Sequence, residues 1–76
     1  MNLAYVMINT EMSSEGRVTN DLNTIEEVKE VYGVYGVYDL VVSVEAKTME
    51  KLKAAISDSI RTLENVRTTL TMIVMD

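Results

Sequence analysis

Seventy-six residues allow one domain, residues 1–76, built around a single small core. The chain has no Cys and no His, which excludes disulfides and metal sites built on thiolate or imidazole, so no metal or cofactor is expected. Twelve acids against seven bases give a net charge of −5, and the bases stand singly among acids, as in Glu27–Lys29–Glu30 and Glu45–Lys47. Direct nucleic-acid binding needs a basic stripe that releases counterions from phosphates, and this chain has none.

No apolar run approaches a membrane span, and the N-terminus lacks the basic flank of a signal peptide, so a cytoplasmic protein without a membrane partner is expected. A core this small rarely supplies more than about 3–5 kcal/mol, so small domains need a staple. Hydrophobic residues make up 47% of the chain, more than such an interior can hold. With disulfides and metals excluded, the staple left is oligomerisation.

Leu3–Thr10 is a short apolar run of strand formers and predicts the first strand. Ser13 and Ser14 offer capping hydroxyls, Glu15 places an acid in a first helical turn, and Val18, Leu22 and Ile25 follow at helical spacing. A helix from near Ser14 to Asn23 follows. Val28–Tyr35 and Asp39–Ala46 predict the second and third strands, joined by a tight Gly36–Val37–Tyr38 connection in which Gly supplies the unusual backbone angles. Thr48 caps a second helix whose apolar stripe is Met49, Leu52, Ile56, Ile60 and Leu63, ending at Glu64–Asn65. Val66–Met75 predicts the last strand. The order β-α-β-β-α-β predicts a ferredoxin-like α+β fold, with two helices on one face of a four-stranded antiparallel sheet.

Alternation along the strands divides them into two rows each. One row meets the helices. The other is expected to carry Tyr5, Met7, Val41, Ile73, Val31 and Tyr35, interrupted by Asp39, Ser43, Thr69 and Thr71. A solvated antiparallel sheet is polar on its outer face, so a second apolar face marks an interface between copies.

Catalysis has little to work with: no His base, no Cys nucleophile and no Gly-rich loop opening a helix. An enzyme is not expected. The informative stretch is Tyr35–Gly36–Val37–Tyr38–Asp39. A Gly turn exposes backbone N–H groups and Asp39 adds a carboxylate, a combination that suits a zwitterion. The same residues also fit a plain turn with Asp39 capping local amides, and the residues alone leave both readings open. Thr68, Thr69 and Thr71 suit a strand, and hydroxyls on a buried surface need partners, which a ligand, a subunit or water would supply.

The Gly36-x-Tyr38-Asp39-Leu40 turn, the preceding Val28–Tyr32 strand and the closing Thr69-x-Thr71-x-Ile73-Val74 strand resemble the effector-binding (RAM) domain of the Lrp/AsnC transcription regulators. The resemblance covers essentially the whole chain. It implies sheet-to-sheet homodimers that assemble into higher oligomers, and an amino-acid effector bound between dimers. It carries ligand-binding roles to Gly36, Tyr38, Asp39, Thr69 and Thr71. The chain opens directly on its first strand, so it resembles the stand-alone members that lack a DNA-binding domain. Co-assembly with full-length Lrp/AsnC regulators is a further implied partnership. The alternatives are a purely structural homo-oligomerisation domain without ligand, a small dimeric ferredoxin-like enzyme, and an ACT-type amino-acid module, against which the Gly-x-Tyr-Asp turn counts.

Overall fold

A computed structural model describes residues 1–75. Strand β1 runs over Asn2–Thr10, helix α1 over Glu15–Leu22, β2 over Val28–Gly33 and β3 over Leu40–Ala46. Helix α2 covers Met49–Ala54 and continues as a widened π turn over Ala55–Ile60; β4 is Val66–Ile73. The four strands form one antiparallel sheet in the order β2-β3-β1-β4, the ferredoxin-like α+β arrangement expected.

One face of the sheet is buried by both helices. Ala4, Val6 and Ile8 of β1 and Leu40, Val42, Val44 and Ala46 of β3 pack with Val18 and Leu22 of α1 and with Leu52, Ala55, Ile56 and Ile60. Each fully buried Leu, Ile or Val contributes about 1.5–3 kcal/mol relative to exposure.

The two helices start differently. The Thr48 hydroxyl accepts from the Lys51 N–H at 3.1 Å, a true N-cap. Ser14 makes no such bond, contrary to expectation. The left-handed backbone at Ser13 (φ 63°) turns the Ser14 hydroxyl toward the Met12 carbonyl instead.

The widened turn has a reason in the apolar spacing. Leu52, Ile56 and Ile60 recur every four residues, and each step of four overshoots an α-helical turn by about 40°. A wider turn, marked by the Arg61 N–H donating to the Ile56 carbonyl, absorbs that drift and keeps Ile56 and Ile60 under the sheet. The Ser57 and Thr62 hydroxyls donate to the carbonyls four residues back, at 2.9 and 2.7 Å, supporting this stretch.

Register corrects the outer face. Residues opposite one another across an antiparallel pair share a face. Ala4 pairs with Ile73, Val6 with Thr71 and Ile8 with Thr69, so Thr69, Thr71 and Ile73 lie on the helix side. Val31, opposite Val42, joins them there, and Tyr35 falls beyond the end of β2. The row expected to be inside, Thr68, Leu70 and Met72, faces out with Asn9, Met7 and Tyr5. Both rows of β4 are mixed, and alternation alone cannot choose between them.

The outer face is as apolar as expected, with Leu70, Met72 and Tyr32 in place of Ile73, Val31 and Tyr35. Two cross-strand rows occupy its middle: Glu30, Ser43, Tyr5 and Met72, then Tyr32, Val41, Met7 and Leu70. Ser43 is only 6% exposed, while Leu70 and Met72 are each 47% exposed. Asn9, which donates to the Thr68 hydroxyl at 3.2 Å, borders the patch at one end.

Candidate functional site

The β2–β3 connection is wider than a tight hairpin. Pairing ends at Gly33–Leu40, leaving a six-residue loop over 34–39 that the Val34 N–H closes on the Asp39 carbonyl at 3.0 Å. Gly36 sits at φ +130°, a conformation L side chains rarely adopt, so the Gly is required there. Among the described residues, the amides of Tyr35, Gly36, Val37 and Tyr38 find no acceptor within the chain. Tyr38 is half-buried, whereas Tyr35 and Val37 project into solvent.

Asp39 ties this loop to β1. Its own N–H donates to the Ile8 carbonyl at 3.0 Å. One carboxylate oxygen, Oδ2, accepts from the Thr10 N–H at 2.9 Å and from the Thr10 hydroxyl at 3.3 Å. Oδ1 has no partner within the chain among the described residues. Asp39 therefore anchors local amides and still presents an acceptor.

Beside the loop lies a cleft of about 410 Å³ lined by Glu15, Gly33, Val34, Tyr35, Asp39 and Leu40. The Glu15 side chain makes no ion pair or hydrogen bond among the described residues; the salt bridge found among them is the exposed Arg67–Glu11 pair at 3.6 Å. Chain topology supplies Glu15: the loop leaving β1 carries the start of α1 to the same end of the sheet as the β2–β3 loop.

The structure thus brings Gly36, Tyr38 and Asp39 together in one loop. Thr69 and Thr71 do not join them. They lie on edge strand β4, with β1 between β4 and β3, two strand spacings or about 10 Å away. Both threonines are half-buried on the helix side. Sequence reasoning missed two residues. Thr10, the partner of Asp39, lies 29 positions away and carries no local signal. Glu15 stood out only as a helix-start acid.

A second cleft, about 510 Å³, opens at the other end between α2, β2 and β3, where Lys47 and Lys51 line it with Glu27, Glu45 and Asp58. Among the described residues, no group of three His, Cys, Asp or Glu side chains is placed to hold a metal, and no helix is long and apolar enough to cross a membrane. On the outer face, the Glu30 carboxylate beside Tyr32 raises the pKa of that phenol above its ordinary value.

Comparison with known proteins bears on the family and the fold. The family model for the Lrp/AsnC ligand binding domain matches residues 3–76. The crystal structure of FFRP-DM1 is 39% identical, with a TM-score of 0.94 over 99% of this chain and 100% of that one. Hypothetical protein PHS023 from Pyrococcus horikoshii is also 39% identical, with a TM-score of 0.92 over 99% of this chain and 90% of that one. The transcriptional regulator NMB0573 from Neisseria meningitidis, solved as a complex with L-Met, shares the fold at 13% identity and a TM-score of 0.85. The match covers 99% of this chain and 50% of that regulator, so the chain spans half its length. No curated protein matches the chain. A family model spanning nearly every residue, on a fold that overlays these structures, places the chain in the Lrp/AsnC ligand-binding domain family.

Proposed function

We propose that this chain is an amino-acid-binding and oligomerisation module of the transcription-regulator type. The observation that carries it is the loop over 34–39, where, among the described residues, the backbone amides of Tyr35, Gly36, Val37 and Tyr38 have no acceptor and the Asp39 carboxylate keeps one oxygen free. The amides suit an α-carboxylate, and Asp39 Oδ1 suits an α-ammonium. The L-Met complex of the Neisseria regulator supports an amino acid as the ligand class.

In this reading Gly36, Tyr38 and Asp39 form one half of the site. Thr69 and Thr71 contribute only from another copy, because within one chain they are too far away. The uncovered outer face holds a second copy, sheet to sheet, and these dimers assemble further. Ligand binding between copies shifts the assembly toward the form that contains the pocket. The module works in the cytoplasm, alone or together with full-length regulators of the family.

A purely structural role is favoured by one observation: Asp39 Oδ2 is already engaged by Thr10. Light scattering and thermal shift against the twenty amino acids separate the readings. The sensing role predicts that at least one amino acid raises the melting temperature and changes the oligomer size, and that Asp39→Ala abolishes both effects. An oligomer indifferent to every amino acid supports the structural role, and a monomer at all concentrations ends both.

A further inference from the structure

We infer that Glu30 selects the partner of the outer sheet face: it holds pairing between identical copies weak and favours a second chain of this fold whose outer face carries a Lys or Arg. This rests on the sheet-to-sheet reading above and adds what decides the partner. The face is large enough for such a contact. Four strands about 4.8 Å apart, eight residues long at about 3.3 Å each, give a footprint of about 500 Å² per chain. A facing pair then buries about 1,000 Å², the size at which an interface becomes specific.

Glu30 lies over this face rather than off its edge. It pairs in register with Ser43, which is only 6% exposed although no helix covers it, because the longer side chains of Glu30 and Tyr5 flank it on either side. The carboxylate also stands beside the Tyr32 phenol of the next row, whose pKa it raises. No base answers it. Among the described residues Glu30 makes no ion pair, and the adjacent Lys29 donates its ammonium to the Glu26 carbonyl at 3.2 Å. An identical copy related by a two-fold axis offers Glu30 only what its own face carries. With the axis across the strands that is β2 again, with the axis along them it is β4, and neither central row holds a base. Either way a charge loses water and gains no counter-charge, which weakens the pair. A partner with a base on this face supplies the counter-charge, and the net charge of −5 on this chain draws it in.

Sedimentation equilibrium at neutral pH reads the dimer constant. Glu30→Gln is expected to tighten the homodimer about ten-fold, whereas Glu50→Gln, which removes the same charge from α2 on the helix side, changes it by less than about two-fold. Wild-type chain is also mixed with copies carrying Glu30→Lys or Met72→Lys, which set a base on either edge strand. At least one mixed pair is expected to be about five-fold tighter than the wild-type homodimer. Circular dichroism confirms that the variants fold. A homodimer that Leu70→Asp breaks but Glu30→Gln leaves unchanged, or that Glu50→Gln tightens equally, overturns the role of Glu30 and leaves the sheet-to-sheet reading standing. Mixed pairs no tighter than the homodimer overturn the preference for a basic partner. Dimers indifferent to Leu70→Asp and Glu30→Gln alike, or no pairing by any of these copies, overturn the inference together with the reading beneath it.

Discussion

The two faces of the sheet are built from similar residues and end in different environments. On the helix side Ala4, Val6, Ile8, Val42 and Val44 are completely buried within one chain. On the other side Tyr5, Tyr32, Leu70 and Met72 remain exposed by more than a third, beside Met7 and Val41. Apolar content therefore does not say which face is core. The helices do, and they have only one face to cover. What is left is a surface whose central rows hold one charge, Glu30, and no base.

That contrast can be broken from either side. The largest effect is expected inside. Leu22 is fully buried, and Leu22→Ala is expected to cost about 2–5 kcal/mol of stability in urea or thermal unfolding. Leu70→Asp, at the centre of the outer face, is expected to leave the folded chain's helix and strand content intact. Its effect falls on assembly, with dimer dissociation raised at least about ten-fold by light scattering or sedimentation. An oligomer unmoved by Leu70→Asp places the interface elsewhere.

The smallest effect concerns Tyr32. Its phenol ionises above the ordinary value of 10.0 because of Glu30, so Glu30→Gln is expected to lower it in an ultraviolet titration. A folded pKa raised above the unfolded one gives stability that is present below pH 10 and lost as pH rises through the folded value. The side chain is exposed, so the change in unfolding midpoint is slight.

Most of the fold was legible because its signals are local. Alternation in Leu40–Ala46, the four-step spacing of Leu52, Ile56 and Ile60, and the Thr48 cap each act within a few residues. What misled was the choice between near-equals. On β4, Leu70 and Met72 are more apolar than Thr69 and Thr71, yet they face out. An edge strand is only partly roofed by the helices, so hydroxyls on its inner row tolerate the position. Ser14 failed as a cap because its neighbour Ser13 turns left-handed, a backbone property that composition does not announce. At the site, Gly36 declared itself through the turn it permits. The Asp39–Thr10 bond and the approach of Glu15 arise only once distant segments meet.

The shared carboxylate of Asp39 has a mechanical consequence. One oxygen fastens the last residue of β1, and the other has no partner among the described residues. Whatever draws that carboxylate toward the cleft also tugs on Thr10, and through Thr10 on the strand that lies between β3 and β4. A tether with both ends occupied transmits tension, so an event at the loop is felt at the sheet's interior strand without any moving part between them.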